Sequence, residues 1–210
     1  MVYELMDLKP LILAGGRATR MGEPKHMMQT PDGSTLLQRT FDLLGGVFQQ
    51  TSTVYVSVAQ ESVLGSFMPD NMASARLILD EEKNTTSRSA GPASGLLSAY
   101  HMDSTATWMV VGCDYPLLTT HALNCLRQAY EPPMTCFLNA DGVFEPLVAI
   151  WSPPALRVLE AEVVTGKGSL TAAIKRCGGN TVPAPDGCEQ WLFNVNNQEE
   201  WQRALEFLKA

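Results

Sequence analysis

Positive charge is in short supply in this 210-residue chain: 15 lysines and arginines stand against 22 acids, a formal net charge of −7. A nucleic-acid partner needs a basic stripe to neutralise phosphates, so that class is not expected. Long hydrophobic runs are missing as well. No apolar stretch approaches the ~20 residues needed to span a bilayer. The opening MVYELMDLKP carries acids and lacks the apolar core of a secretory signal. No membrane is expected as a partner. The five cysteines (Cys113, Cys125, Cys136, Cys177 and Cys188) have no C-x-x-C spacing. An odd, dispersed set reads as reduced thiols in a cytoplasmic protein, not as disulfides or metal ligands. Two familiar phosphate loops are also lacking. Gly15-Gly16 has no third glycine completing G-x-G-x-x-G, and no Gly-Lys-Ser/Thr follows at Walker A spacing.

What the chain does have is concentrated in LILAGGRATRMGEPK, Leu11 to Lys25. Leu11-Ile12-Leu13-Ala14 has the character of a strand buried on both faces. It stops at Gly15-Gly16, and Arg17, Arg20 and Lys25 follow against one acid, Glu23. Glycines after a buried strand let successive backbone N–H groups turn toward one point. With three cations close by, such a loop suits a polyphosphate. A plain glycine turn beside a solvated basic loop is the alternative.

Composition, 45% hydrophobic and 18% charged, is that of a globular domain, and the length suits one domain spanning residues 1–210. Residues 1–10 read as a lead-in. A helix is expected from Thr35 to Leu44, ended by Gly45-Gly46, and strands at Val54 to Val58 and Leu77 to Leu79. Between those strands a helix around Ser62 to Phe67 fits the pattern, and Glu81 to Ser89 reads as a polar loop. A Pro-initiated helix follows Gly91, then a strand over Trp108 to Val111 and a helix over Thr120 to Tyr130. Thr135 to Leu138 and Pro146 to Trp151, separated only by a turn at Asp141-Gly142, suggest antiparallel pairing. Helices at Ala155 to Glu160 and Leu170 to Lys175, a strand at Thr181-Val182 and a final helix at Asn197 to Lys209 complete the chain. Strands alternating with helices predict a doubly wound, mostly parallel α/β sheet with an antiparallel addition in the second half.

In such a sheet ligands bind beyond the strand C-termini, and Gly15, Asp80 and Asp114 each follow an expected strand. Asp114 beside Pro116 makes a good hard-oxygen ligand for Mg²⁺; a helix or turn cap is the alternative. Gly91-Pro92 either lets a base lie close to the backbone or simply starts a helix. Alternation places the amides of Asn194 and Asn196 on one side of Val195, useful around phosphate or metal-bound water, while Asn196 or Asn197 caps the last helix. His26, His101 and His121 read as structural. Gly166-Lys167-Gly168 lacks P-loop context, and Ser169 is expected as an N-cap.

Leu13-Ala14-Gly15-Gly16 through Arg20-Met21-Gly22 and Lys25 resembles the L-A-G-G-x-x-x-R-M-G-x-x-K signature of nucleotidyltransferases, the molybdenum cofactor guanylyltransferase family in particular. Gly91-Pro92-Ala93-Ser94-Gly95, Cys113-Asp114-Tyr115-Pro116 and Asn194-Val195-Asn196 resemble that family's later blocks, in its order. The resemblance implies a Rossmann-like nucleotidyltransferase fold and transfer of GMP from GTP to the phosphate of molybdopterin, with release of pyrophosphate. It implies nucleotide contacts at Leu13, Ala14, Gly15, Gly16, Gly91, Pro92, Asn194 and Asn196. Arg20 and Lys25 become the triphosphate cations, Asp114 the Mg²⁺ ligand, and Asp80, with Glu81 and Glu82 beside it, an acid near the base. GTP and molybdopterin are the implied partners, and molybdenum-insertion or molybdoenzyme-chaperone proteins are further ones. Related cytidylyltransferases share the Gly22-Glu23-Pro24-Lys25 spacing but read Leu-Ala-Ala-Gly at the loop. Another NTP-dependent nucleotidyltransferase, acting on molybdopterin with CTP or on a sugar phosphate, therefore remains open. So does a nucleotide-binding regulator without turnover, against which the intact Lys25 and Asp114 argue.

Overall fold

The computed structural model describes residues 7–14, 24–48, 53–59, 72–80, 91–166 and 169–209. The glycine loop with Arg17 and Arg20, the expected helix at 62–67 and the polar loop at 81–89 lie outside the described residues.

One seven-stranded sheet, in the order β3-β2-β1-β4-β6-β5-β7, runs through these segments. Its strands are β1 (Leu8–Leu13), β2 (Val54–Val58), β3 (Ala75–Leu79), β4 (Thr107–Gly112), β5 (Met134–Leu138), β6 (Phe144–Trp151) and β7 (Asn180–Pro183). β1 pairs in parallel with β2 and β4, and β2 in parallel with β3. β6 runs antiparallel to both β4 and β5, while β5 and β7 are parallel. The expected doubly wound sheet with an antiparallel addition is the one found, and a single reversed strand supplies the addition.

Alternation along β1 explains the layers. Ile12 and Ala14 face one apolar layer with Leu37, Phe41 and Leu44 of α1 (Leu36–Phe48) and Ala122, Leu123 and Leu126 of α3 (Thr120–Gln128). Leu11 and Leu13 face the other, with Leu96, Leu97 and Tyr100 of α2 (Pro92–Met102), Leu156 and Leu159 of α4 (Pro153–Val164) and Ala173 and Ile174 of α5 (Leu170–Cys177). A third, smaller cluster joins Met28 and Leu36 to Val195 and to Trp201 and Ala204 of α6 (Gln198–Lys209). It holds the end of the chain against the segment that follows the basic loop.

Two expectations are corrected. β1 begins at Leu8, so residues 8–10 belong to the sheet and are not lead-in. Pro10 is tolerated there because the ladder to β2 starts only at Leu11, where β1 first needs donors on that side. The helix begun at Thr35, whose Oγ1 accepts from the Gln38 N–H at 3.1 Å, runs through Gly45-Gly46 to Phe48 instead of stopping. Each glycine costs about 1 kcal/mol in a helix. Burying an apolar side chain such as Val47 returns about 1.5–3 kcal/mol, and Phe48 packs on the same cluster. Neither glycine has the positive φ of a C-cap.

The caps read from sequence are present. Ser169 Oγ accepts from the Ala172 N–H at 3.2 Å, and Asn197 Oδ1 from the Glu200 N–H at 2.9 Å. Among the described residues no helix is long and apolar enough to cross a membrane. Asn197→Ala should lower stability by about 1 kcal/mol, the usual worth of an N-cap. A two-state denaturant titration reads this as a lower midpoint at constant slope.

Candidate active site

The parallel strands β1 to β4 bring Ala14, Asp80 and the Cys113-Asp114 pair to one edge of the sheet. Backbone bonds lock these strand ends together: the Ala14 N–H donates to Ser57 O at 3.0 Å, the Cys113 N–H to Leu13 O at 3.3 Å, and the Asp80 N–H to Val58 O at 2.9 Å. Leu13 and Ala14 are buried, so they reach this edge as backbone positions. Gly15, Gly16 and Arg20 lie outside the described residues.

Two clusters form there. In the first, Ser57 Oγ donates to Asp80 Oδ1 at 2.5 Å. Burial pushes the Asp80 carboxyl above its ordinary value, and the Ser57 bond opposes that shift without cancelling it. Gly95, on the second turn of α2, packs against this pair. A Cβ at Gly95 would lie 2.2 Å from Ser57 Oγ and 3.2 Å from Asp80 Oδ1. Only glycine lets the helix approach so closely. Gly91 and Pro92 are exposed at the helix start, with Gly91 as N-cap at φ 58° and Pro92 at the first helical position. They supply the Pro-initiated helix; the close approach to the strand ends belongs to Gly95.

In the second cluster, Lys25 Nζ donates to Asp114 Oδ2 at 3.2 Å and to Asn196 Oδ1 at 2.8 Å. The Asp114 side chain keeps 16% of its exposure and that of Lys25 27%, so each charge needs the other. Among the described residues Asp114 caps no helix: Thr119 caps α3, its side chain accepting from the Ala122 N–H at 3.1 Å. The Asp114 carbonyl instead accepts from the Val195 N–H at 2.9 Å, which fastens Asn194-Val195-Asn196 beside it. Asp114 Oδ1 and Asn194 Oδ1 are both buried without a hydrogen-bond partner. Two such oxygens suit a hard cation. No group of three or more His, Cys, Asp or Glu residues able to hold a metal occurs among the described residues. An ion at Asp114 would therefore complete its shell with water and substrate oxygens, as Mg²⁺ ordinarily does. The neighbouring Cys113 is no nucleophile, because burial pushes its thiol up to about 12.

Behind Asp114 lies a group the sequence reading passed over. Tyr115 donates its hydroxyl to Glu145 Oε2 at 2.7 Å, and Asn139 Nδ2 donates to Glu145 Oε1 at 2.9 Å. Glu145 is buried on β6, just before an irregularity in the β5–β6 register, and burial raises its carboxyl above the ordinary value. Its signal in the sequence was an acid ahead of a proline in an otherwise apolar strand. Ser57 offered only a small polar residue in a β-branched run. The histidines take structural surroundings: His26 is buried, His101 bonds Glu160 at 2.7 Å, and His121 stacks edge-on against Trp191.

A doubly wound sheet with Lys25 and two carboxylates gathered beyond its strand C-termini is an architecture suited to holding a nucleotide. A family model described as the MobA-like NTP transferase domain matches residues 10–181. The chain belongs to that family and is a nucleotidyltransferase. It is 27% identical over 210 residues to a probable molybdenum cofactor guanylyltransferase of Bacillus velezensis, covering 95% of this chain and 96% of the relative. A protein of the same description from Pyrococcus horikoshii is 28% identical, at 93% and 97% coverage. Among solved structures, molybdopterin-guanine dinucleotide biosynthesis protein A from Archaeoglobus fulgidus superposes with a TM-score of 0.72 at 19% identity, over 96% of this chain and 98% of that one. The 2-C-methyl-D-erythritol 4-phosphate cytidylyltransferase of Thermus thermophilus does so at 0.65 and 15% identity, over 98% and 100%.

Asp80 yields a stability test. Its carboxyl is raised in the fold above the ordinary 3.8, so the folded protein keeps that proton to higher pH than the unfolded chain does. Stability then falls as pH rises from about 4 through the folded value. Asp80→Asn, which has no proton to lose, should melt higher than the parent at pH 7.5. At pH 3.5, where the parent carboxyl is also neutral, that advantage should vanish. Melting curves at the two pH values check both halves.

Proposed function

We propose that this nucleotidyltransferase, acting as one domain over residues 1–210, transfers GMP from GTP to the phosphate of molybdopterin and releases pyrophosphate. The observation that carries the site is Lys25 bridging Asp114 and Asn196 at the strand-end edge. The names of the curated relatives support the choice of substrates.

The reaction is a single in-line displacement. An oxygen of the pterin phosphate forms a bond to the α-phosphorus of GTP. The bond from that phosphorus to the bridging oxygen breaks, and pyrophosphate departs with the electron pair. Lys25 and Arg20 meet the charge that grows on the leaving pyrophosphate. The backbone at Leu13, Ala14, Gly15 and Gly16 supports the nucleotide, and the amide NH₂ of Asn196, whose Oδ1 accepts from Lys25, donates to a phosphate oxygen. Asp114 is the side chain to hold Mg²⁺, which when bound neutralises triphosphate oxygens so that an anionic phosphate can approach. Asp80, steadied by Ser57, faces the guanine edge, whose N1–H and exocyclic amine give a carboxylate two donors. Gly91 and Pro92 line the way in. The cytoplasm is the expected setting, and molybdenum-insertion or molybdoenzyme-chaperone proteins are the expected handlers of the product.

Pyrophosphate release should be seen with GTP and molybdopterin, and weakly or not at all when CTP or ATP replaces GTP. A preference for CTP in that panel overturns the guanylyl assignment and leaves the class intact. Lys25→Ala should lower kcat about 10²-fold at saturating GTP, with cooperative melting retained. Full activity in that variant removes Lys25 from the phosphate site.

A further inference from the structure

The cation assigned to phosphate and the carboxylate assigned to Mg²⁺ hold one another. Lys25 Nζ donates to Asp114 Oδ2 at 3.2 Å and to Asn196 Oδ1 at 2.8 Å. Among the described residues neither Lys25 nor Asp114 has a second ion-pair partner. Two other acids belong to this neighbourhood, and both are engaged elsewhere: Glu145 accepts from Tyr115 and Asn139, and Glu200 from the Asn196 N–H at 2.5 Å. One carboxylate thus answers one ammonium. Asp114 Oδ1 is buried and unpartnered, but a divalent cation on it would share a single negative charge with the ammonium on Oδ2. Two cations a few ångströms apart repel strongly even where water screens them in part.

The two partners differ in their freedom to move. Lys25 opens a short turn over Lys25–Met27, in which the Met27 N–H donates to Pro24 O at 2.9 Å and the Met28 N–H to Lys25 O at 3.1 Å. His26 and Met28 are buried, so the backbone there is fastened and any exchange of partners falls to the flexible lysine stem. Asp114 is held more closely. Its carbonyl accepts from the Val195 N–H at 2.9 Å, and the Cys113 N–H before it donates to Leu13 O at 3.3 Å. Its carboxylate lies over Gly112, where a Cβ would come within 2.7 Å of Oδ1. The acid stays, and the lysine is the group able to swing away.

From these contacts we infer that Lys25 is the resident counter-ion of Asp114, excluding a divalent cation from that carboxylate until a triphosphate draws the lysine away. The inference rests on the nucleotidyltransfer reading of this same edge and gives it an order of binding. No covalent bond changes; ion-pair partners are exchanged. Phosphate oxygens take over the ammonium, and Asp114 is left with its charge unanswered. The same phosphates supply further oxygens of the kind Mg²⁺ takes beside one carboxylate. By linkage, triphosphate and metal then strengthen each other's binding by the same factor. Lys25 therefore acts before the reaction as well as in it, since it keeps the edge from holding a metal without its nucleotide.

Two variants read the exchange from opposite sides. Lys25→Met keeps an apolar stem and removes the ammonium. Mn²⁺ titration followed by electron paramagnetic resonance, with no nucleotide present, should show this variant binding the ion at least about 10-fold more tightly than the parent. Adding Asp114→Asn to Lys25→Met should abolish that gain, which locates it at the carboxylate. Asp114→Asn alone releases the lysine. Calorimetric titration with GTP in the presence of EDTA should show binding at least about 5-fold tighter than to the parent. A lysine that merely fastened the fold would produce neither gain, because its loss would loosen both ligands. Mn²⁺ binding to folded Lys25→Met that is no tighter than to the parent overturns the inference. So does a gain that survives in the double variant, or metal-free GTP binding to folded Asp114→Asn that is no tighter than to the parent. Either single variant decides if the other does not fold. If the parent prefers CTP, the guanylyl assignment falls alone and CTP replaces GTP in the second titration. A parent that binds neither nucleotide with Mg²⁺ present overturns the nucleotidyltransfer reading and the hand-over with it, while the Mn²⁺ comparison, which contains no nucleotide, judges the exclusion by Lys25 separately.

Discussion

Covering both faces of β1 is the constraint on which everything else rests. Leu11, Ile12, Leu13 and Ala14 are all buried, and a strand in that position must have helices above and below it and strands on either side. Parallel neighbours on both edges then deliver β2, β3 and β4 in one direction. Their following residues arrive together because of that common direction. No attraction between Asp80 and Asp114 is needed to bring two carboxylates to one edge.

Placing charges at this edge is costly unless each is answered locally. The protein answers Asp80 with a hydroxyl and Asp114 with an ammonium. It answers Glu145 with a phenol and an amide. The Lys25 partnership spans 171 residues in sequence to Asn196, and the small cluster of Met28, Leu36, Val195, Trp201 and Ala204 keeps those two segments in reach. Helix α6 is thus a support for the site, and its Glu200 Oε2 accepts from the Asn196 N–H at 2.5 Å.

The sheet was legible because its signals are local. A continuous apolar run at 11–14 identifies a strand covered on both faces, and the tight turn at Asp141-Gly142 forces antiparallel pairing of β5 and β6. Asp114 and the two asparagines were legible because each stands at an element boundary, where polar residues have few structural reasons to be. Gly45-Gly46 misled, since a glycine pair carries its local cost openly while the compensating burial of Val47 and Phe48 depends on α1 lying across the sheet. Ser57, Gly95 and Glu145 were hidden for the same reason in reverse. Each sits inside a regular element, and what matters about it is which distant atom it meets.

Reversing β6 changes what the sheet can offer. In a wholly parallel sheet only the loops after strands reach the ligand edge. Here β6 starts where β4 ends, so the β5–β6 turn at 139–143 joins that edge as well. Its tip is exposed, with Gly142 at φ 72° and Val143 standing out to solvent. Residues added at such a tip cost little in chain entropy and disturb no buried ladder. The ligand edge is therefore bounded by β1 to β4 on one side and by a hairpin turn on the other, and that turn reaches the buried Glu145 through Asn139. A chain built this way can reshape that side of the edge by residues inserted at the exposed hairpin tip, while the strands that carry Asp80 and Asp114 keep their register.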